Sequence, residues 1–197
     1  MMRHTLYPIV GFAGGMGVGK STAAHHLLHA YPYEPASFAE PIKDMLIALG
    51  LEREQLYDQR RKAEPCQQLG GMPPRVGLQT LGTEWGRDTI WEDVWCNAMR
   101  KRLVPRIRDG KRYVIDDVRF DNEAQLIRAL GGIVIKIERK LPDPRSWWRK
   151  LLNLQHPTER GVAPHLIDHV IQNNGYTSEM LQDIEVAMRA PWLPEIK

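Results

Sequence analysis

A glycine-rich segment near the amino terminus limits most strongly what this chain can fold into. Residues 14–21 read Gly-Gly-Met-Gly-Val-Gly-Lys-Ser, which satisfies the pattern G-x-x-x-x-G-K-[ST] at every fixed position. The glycines let the backbone curl so that successive N–H groups point inward at phosphate oxygens, and the positive end of a following helix strengthens that attraction. The segment therefore predicts a phosphate-binding loop (P-loop) between a buried strand and a helix.

The lysine and the serine that close this loop have the most specific predicted roles. Lys20 is expected to reach the β- and γ-phosphates of a nucleoside triphosphate, and the Ser21 hydroxyl is expected to coordinate Mg²⁺. ATP is the expected phosphoryl donor and Mg²⁺ the expected cofactor. The chain lacks the N-K-x-D and D-x-x-G patterns that usually accompany guanine nucleotides, which disfavours a GTPase. The predicted ATP-binding residues are Gly14, Gly15, Met16, Gly17, Val18, Gly19, Lys20, Ser21 and Thr22.

Apolar runs alternate with helical patterns along the chain. Strands are predicted at Tyr7–Ala13, Tyr113–Ile115, Ile133–Ile137 and His169–Ile171. Strands that alternate with helices indicate a parallel sheet covered on both faces. The predicted fold class is α/β, a three-layer P-loop sandwich of about five parallel strands, and ligands of such sheets bind at the carboxyl ends of the strands.

The middle of the chain carries weaker local signals. Pro41 is placed to open a helix that ends at Gly50. Residues 58–76 are polar and contain three prolines and two glycines, which predicts a loop. The segment Thr89–Glu92 has the spacing of a capping box, and it predicts a helix with Trp91 and Trp95 on its apolar face.

Composition limits the broad class of protein. A length of 197 residues with 43% hydrophobic content suits one α/β domain over residues 1–197. The formal net charge of +3 is too mild to indicate a nucleic-acid protein, and it also suits an enzyme with polyanionic substrates. Cys66 and Cys96 are expected to be reduced thiols. No apolar stretch approaches the ~18 residues that suggest a membrane span, so a cytoplasmic protein without membrane contact is expected.

Two carboxylates follow the strand at Tyr113–Ile115. Asp116 and Asp117 precede Val118 and Arg119, so the run is apolar, then acidic, then basic. Regular alternation along a strand would place Asp117 and Arg119 on one side and Asp116 on the other. One carboxylate is then expected to serve Mg²⁺ together with Ser21, with Asp116 as the candidate, although the sequence leaves open which of the two does so. The Asp117–Arg119 pair is expected to serve a second ligand, and a solvated turn with a local ion pair is the alternative.

Four further runs, taken together, resemble a known family. In chain order they are Gly11–Thr22, Phe38–Lys43, Leu81–Arg87 (L-G-T-E-W-G-R) and Asp117–Ala124 (D-V-R-F-D-N-E-A). This order is similar to that of bacteriophage-type deoxynucleoside monophosphate kinases, and the resemblance spans roughly residues 7 to 188. The last two runs are far more specific than the P-loop. Many members have aspartate after the P-loop lysine, where this chain has Ser21.

The resemblance implies a reaction and a set of acceptor contacts. It implies ATP-dependent conversion of a deoxynucleoside monophosphate (dGMP, dTMP or a pyrimidine dNMP) to the diphosphate, which supplies precursors for phage DNA synthesis in the host cytoplasm. It further implies an acceptor-binding insertion at about residues 38–104; a homodimer is possible, and no stable nucleic-acid binding is expected. The positions that match monophosphate contacts are Lys43, Arg75, Gln79, Gly82, Thr83, Trp95, Asp117, Arg119 and Glu123. For Trp95, core packing is the alternative, since it lies on an apolar helix stripe.

A basic segment follows the strand at Ile133–Ile137. Residues 136–150 carry six lysines and arginines against one glutamate and one aspartate. Its position suits a lid, at about residues 139–165, whose arginines close over the transferring phosphate. A nucleic-acid patch with Trp147 and Trp148 and a solvated surface are the alternatives. The predicted catalytic residues are Lys20, Arg119 and Arg139.

Two other functions remain open from the sequence. One is another small-molecule P-loop kinase, acting on dephospho-coenzyme A or on ribonucleotides. The other is a nucleic-acid-dependent ATPase that uses the basic segment.

Overall fold

The computed structural model describes residues 6–139 and 161–188, which form two compact units. We call residues 37–102 the inserted unit, and the rest the sheet unit. The strands are β1 (Ile9–Ala13), β2 (Tyr33–Ala36), β3 (Arg112–Val118), β4 (Ile133–Glu138) and β5 (His169–Gln172). The helices are α1 (Lys20–Ala30), α2 (Glu40–Ala48), α3 (Arg53–Tyr57), α4 (Pro74–Thr80), α5 (Val94–Arg108), α6 (Asp121–Ala129) and α7 (Thr177–Met188), with a π-helix at Leu81–Ile90.

The five strands form one parallel sheet in the order β2-β3-β1-β4-β5. β1 is central, and all five of its residues are buried. Val10 pairs with Val114 of β3 on one side and with Ile133 of β4 on the other. The predicted parallel α/β sheet is thus confirmed, and β1 leads into the glycine-rich segment from the middle of the sheet.

Helices cover both faces of this sheet. Val10 and Phe12 of β1 share one buried cluster with Leu27 of α1 and Ile184 of α7. Gly11 faces the other side, where a Cβ atom would lie only 2.6 Å from Cδ1 of Ile127 in α6. Glycine at this position therefore lets α6 pack directly on the central strand. The two helix layers and the sheet make the three-layer arrangement that the sequence predicts.

The edge strand β2 is a feature that the sequence patterns do not predict. It reads Tyr-Glu-Pro-Ala, so Glu34 and Pro35 interrupt any apolar run. Proline is tolerated in an edge strand because a ladder hydrogen bond is needed on one side only. Tyr33 anchors the strand: it is buried, and its hydroxyl donates to the Tyr7 carbonyl at 2.9 Å.

The inserted unit has its own small core. Leu46, Leu51, Leu56 and Cys66 form a buried cluster. Pro41 is in the first turn of α2, and Gly50 lies just past its end with a φ of 94°, as predicted. The predicted loop at residues 58–76 consists largely of irregular chain with two short 3₁₀ turns, although α4 begins within it at Pro74.

The predicted capping box at Thr89–Glu92 is wrong. Thr89 lies inside the π-helix, where its hydroxyl donates to the Glu84 carbonyl at 2.7 Å. The helix that follows begins at Val94, and Trp91 is 52% exposed outside it. The π-helix explains the difference, because it runs through Thr89 and places this residue inside a helix, where it cannot cap the start of the next one.

No helix among the described residues is long and apolar enough to cross a membrane. Most of the predicted lid lies outside the described residues, which resume at Gly161. The predicted single domain, its acceptor insertion and its lid therefore stay predictions.

Two positions of α7 test how the sheet unit is held together. Ile184 is fully buried in the main cluster, while Val186 is 67% exposed on the same helix. We expect Ile184→Ala to lower the free energy of unfolding by about 2–5 kcal/mol, because it removes buried methylenes and leaves a cavity. Val186→Ala is the matched control, and it should change stability by less than about 0.5 kcal/mol. Urea unfolding of both variants gives the comparison, and equal losses would contradict the packing described.

Candidate phosphate-binding site at the carboxyl ends of the strands

The glycine-rich segment has the backbone conformation that a phosphate cradle needs. Gly14, Gly17 and Gly19 have φ angles of 131°, 76° and 110°. Residues that carry a Cβ atom rarely adopt such positive φ angles. A Cβ atom at Gly14 would also collide with the carbonyl oxygen of Ile137 in β4. The loop then enters α1 at Lys20, so the first N–H groups of that helix lie beside it. Three of the four glycines in the loop thus have backbone angles that favour glycine, as the motif predicts.

Lys20 lies folded back along its own loop. Its Nζ donates to the carbonyl oxygens of Gly14 at 2.8 Å and Gly15 at 2.5 Å. Burial lowers the pKa of Lys20 from its ordinary value, and the positive charge of Arg119 lowers it further, while Asp116 and Asp117 act in the opposite direction. A bound anion would therefore stabilise the charged form of the Lys20 ammonium group.

Ser21 and Asp116 meet across the site. The Ser21 hydroxyl donates to Oδ2 of Asp116 at 2.8 Å, although the two residues are 95 positions apart. The pair joins the first turn of α1 to the carboxyl end of β3. The structure therefore brings together the two residues that the sequence selects as metal ligands, and both supply oxygen atoms.

The acidic end of β3 contains a bulge. Gly11 of β1 pairs with Ile115, but Ala13 pairs with Val118, so β3 has one residue more than β1 over this stretch. Regular alternation of Asp116 and Asp117 cannot be assumed through such a point. Both carboxylates act on the charge of Lys20. The expected placement of Asp116 and Asp117 on opposite sides of β3 therefore does not follow, because the bulge interrupts the alternation that it requires.

Glu123 fixes the turn between β3 and α6. Its side chain is only 3% exposed, and its Oε2 accepts the backbone N–H groups of Arg119 at 2.7 Å and Phe120 at 3.1 Å. The sequence predicts a monophosphate contact for Glu123; the structure gives its carboxylate a supporting role. It holds the backbone of Arg119 at the strand end, and the Arg119 side chain is exposed there.

The other predicted monophosphate residues belong to the inserted unit. Lys43 is paired within it: its Nζ lies 3.6 Å from Oε2 of Glu40 and 4.1 Å from the ring centre of Tyr57. The Tyr57 hydroxyl donates to Glu40 at 2.7 Å, and burial together with that bond raises the pKa of Tyr57 to about 12. This Glu40–Lys43–Tyr57 cluster is not visible in the sequence, because Tyr57 comes from a separate helix.

The L-G-T-E-W-G-R run takes an uncommon conformation. It forms most of the π-helix Leu81–Ile90, which continues directly from α4. Such helices are rare and occur frequently at functional sites. Arg75 and Gln79 are exposed on α4, whereas Gly82 and Thr83 are buried at the start of the π-helix.

Trp95 is a core residue of the inserted unit. It is 5% exposed, and its indole Nε1 donates to the Gly82 carbonyl at 2.7 Å. Its ring lies so close to Gly86 that a Cβ atom there would be 2.5 Å away. Of the two interpretations of Trp95, the structure therefore supports core packing and assigns the indole N–H to the backbone.

Two further residues of interest directly follow strands of the sheet. Arg139, the predicted lid arginine, directly follows β4 and is exposed. Asn173, which the sequence patterns do not single out, directly follows β5 and donates through Nδ2 to the Val18 carbonyl at 2.8 Å. Nothing in the local sequence distinguishes Asn173 from Asn174, since only the sheet order brings one of them to the P-loop.

The comparisons of this sequence with known proteins agree with one another. Residues 74–184 match the family model described as deoxynucleotide monophosphate kinase. The chain is 36% identical over 143 residues to a protein of Acanthamoeba polyphaga mimivirus assigned as a deoxynucleotide monophosphate kinase, a match covering 66% of this chain and 74% of that one. It is 30% identical over 108 residues to the deoxynucleoside-5′-monophosphate kinase of Escherichia phage T5, covering 51% of this chain and 39% of that one.

Comparison of folds agrees with the sheet described above. The dephospho-CoA kinase of Campylobacter jejuni superposes with a TM-score of 0.53 over 91% of this chain and 94% of its own. The sequence identity is 11%, so this likeness concerns the fold alone. A P-loop kinase-like α/β fold is thereby confirmed.

The indole bond of Trp95 can be tested directly. We expect Trp95→Phe to lower the free energy of unfolding by about 1–3 kcal/mol, because the buried Gly82 carbonyl loses its donor and the core loses volume. Trp91→Phe is the control, since Trp91 is half exposed. Urea unfolding would measure both. A Trp95→Phe protein of unchanged stability and weakened monophosphate binding would contradict the core assignment and support a substrate contact.

Proposed function

The chain belongs to the deoxynucleotide monophosphate kinase family, and on that premise we propose that it transfers the γ-phosphoryl group of ATP to a deoxynucleoside monophosphate. The products are a deoxynucleoside diphosphate and ADP, which fits a role in supplying precursors for DNA synthesis. The observation that carries the proposal is the meeting of Lys20, Ser21, Asp116 and Arg119 at the carboxyl ends of β1 and β3. The base preference, a homodimer and a cytoplasmic location stay predictions.

The donor side of the site suits a triphosphate. Three glycines of the P-loop turn its backbone into a cradle, and the positive end of α1 lies beside it. Lys20 would exchange its bonds to the Gly14 and Gly15 carbonyls for bonds to phosphate oxygens. That exchange is favourable because the phosphates offset both the burial of the ammonium group and the charge of Arg119.

The residues beside the cradle also suit Mg²⁺. A hydroxyl and a carboxylate, from Ser21 and Asp116, are the hard oxygen ligands that this ion prefers, and their 2.8 Å hydrogen bond places them together. We infer that these two would hold the ion. When bound, Mg²⁺ supplies positive charge that offsets the charge developing on the phosphates. Asp117, the neighbouring carboxylate, is the alternative ligand.

The acceptor side rests on the end of β3. Arg119 follows this strand, and its guanidinium can grip a phosphate with two parallel hydrogen bonds. Glu123 fixes the Arg119 backbone through the 2.7 Å bond, so the base of that side chain has a defined position. We propose that Arg119 binds the monophosphate and that Asp117 orients it. Lys43, Arg75, Gln79, Gly82 and Thr83, which all belong to the inserted unit, stay predicted monophosphate contacts.

The mechanism needs alignment and charge, and it needs no covalent intermediate. The monophosphate oxygen is already ionised, so no general base has to remove a proton before it attacks. Lys20 and Arg119 provide positive charge around the moving phosphoryl group, and their positions align the two nucleotides. Arg139, at the start of the proposed lid, is the further candidate for this charge. Exclusion of water by the lid would prevent hydrolysis of ATP.

A coupled assay for ADP with a panel of acceptors tests the function. The panel contains dGMP, dTMP, dCMP, dAMP, the matching ribonucleotides and dephospho-coenzyme A, each with ATP and Mg²⁺. We expect turnover with at least one deoxynucleoside monophosphate and much less with dephospho-coenzyme A. Turnover only with dephospho-coenzyme A, or ATP hydrolysis that requires added DNA and falls steeply with salt, would overturn the proposal.

Substitutions at Arg119 and at Lys20 test the acceptor half and the donor half of the site separately. We expect Arg119→Ala to lower kcat/KM for the monophosphate by about 10- to 150-fold, equivalent to about 1.5–3 kcal/mol, because a charged hydrogen-bonding partner is lost. Arg119→Lys should recover only part of this, since a point charge lacks the two-pronged geometry. Lys20→Ala is the contrast, and it should reduce turnover by about a hundredfold or more.

The measurement is a steady-state matrix of ATP against the preferred monophosphate for the four proteins. KM for ATP should hardly change in the Arg119 variants, because other groups hold the donor phosphates. If both Arg119 variants raise KM for ATP and leave kcat/KM for the monophosphate unchanged, Arg119 belongs to the donor half of the site. The assignment of the D-V-R run to the acceptor half is then wrong.

A further inference from the structure

The chain segment that follows β5 is fastened to the P-loop by one side chain. Asn173 donates through Nδ2 to the Val18 carbonyl at 2.8 Å, and the amide is partly buried. The backbone N–H of Asn173 donates to the Glu138 carbonyl at 2.7 Å, which extends the pairing of β5 with β4 by one residue. Asn173 is therefore itself held by the sheet when it holds the loop.

The bond to Val18 fixes the direction of one N–H group. The Val18 carbonyl and the Gly19 N–H belong to the same peptide unit, which is planar and trans, so they point in opposite directions. Because Asn173 draws the carbonyl oxygen toward β5, the Gly19 N–H is turned to the opposite side of the loop. Gly19 is also the residue before α1, where N–H groups attract phosphate.

This orientation needs support from outside the loop. Gly19 has a φ of 110°, and a glycine can rotate at little steric cost, so its own geometry does not hold the peptide in place. Neighbouring side chains leave no space for a side chain at this position. A Cβ atom at Gly19 would lie 2.8 Å from Nδ2 of Asn173 and 3.1 Å from Sδ of Met180 in α7. Asn173 and Met180 thus pack against the P-loop at Gly19.

We propose that Asn173 is a positioning residue of the donor site, which holds the Val18–Gly19 peptide so that the Gly19 N–H points at the donor phosphates. The proposal rests on the proposed function and assigns a role to a residue outside the P-loop motif. An amide suits this role because it donates a hydrogen bond without carrying charge. An aspartate of the same size would set a carboxylate against the Val18 carbonyl, and its negative charge would repel the triphosphate.

Three variants test the role of Asn173. Asn173→Ala removes the donor, Asn173→Asp removes it with little change in volume, and Asn174→Ala is the matched control on the neighbouring residue, whose amide donates to Gln172 at 3.3 Å. Binding of MgATP and of ADP is measured by calorimetry, and KM for ATP and for the preferred monophosphate by the coupled assay. Thermal unfolding shows whether each variant is folded.

We expect Asn173→Ala to weaken MgATP and ADP binding by about tenfold, the usual worth of a lost hydrogen bond of this kind. Asn173→Asp should weaken both further, and KM for the monophosphate should stay within about twofold of the parent in each variant. Asn174→Ala should bind both nucleotides like the parent. A donor-specific loss of this kind is not expected from general destabilisation, which would affect both substrates.

Other results would overturn the proposal. These are unchanged ATP binding in both Asn173 variants, equal losses for donor and acceptor, or a lowered Tm with normal ATP binding. If Asn173→Ala does not fold, the isosteric Asn173→Asp decides by the same measurements. A parent protein that binds MgATP but phosphorylates no deoxynucleoside monophosphate would contradict the proposed function alone, because the binding comparison for Asn173 would still stand.

Discussion

The parallel pairing of β1 with its two neighbours is the constraint on which the rest of the sheet unit depends. Parallel strands end at the same edge of a sheet, so the P-loop after β1 opens beside the carboxyl ends of β3 and β4. This pairing brings Ser21 within hydrogen-bond distance of Asp116, 95 positions away. Neither local segment could create that contact alone. The site is therefore a product of the sheet order, and the motif supplies only half of it.

Charges of both signs lie close together around Lys20 before any ligand is considered. Lys20 and Arg119 provide two cations, and Asp116 and Asp117 provide two carboxylates close enough to affect Lys20. A polyanion and a divalent cation entering together would each find groups of opposite sign there. The arrangement suits a nucleotide bound with its metal ion better than either alone, which is the form in which kinases use ATP.

The sequence predicts regular elements of this protein well and its irregular ones poorly. β1 and α1 follow from an apolar run and a complete motif, and the same reasoning locates β3, β4 and β5. It does not predict β2, because Glu34 and Pro35 interrupt the apolar run of this edge strand. It also leaves the role of Trp95 undecided, because an apolar helix stripe suits a core residue and a binding residue equally, and only the indole bond to Gly82 distinguishes them. Asn173 and the bulge in β3 depend on strand register, which no local pattern reveals.

The bulge at Asp116 and Asp117 also affects how this site can change during evolution. One extra residue of β3 is accommodated there against β1, so the strand resumes its pairing at Val118. Replacing either aspartate would alter one side chain and keep that register. Deleting one of the two aspartates would leave a single residue opposite Phe12, so Val118 would still pair with Ala13 and only the bulge and one carboxylate would be lost. The pairing of β3 with β1 can therefore absorb the loss of one residue here, which it could not do elsewhere in the strand without a shift in register.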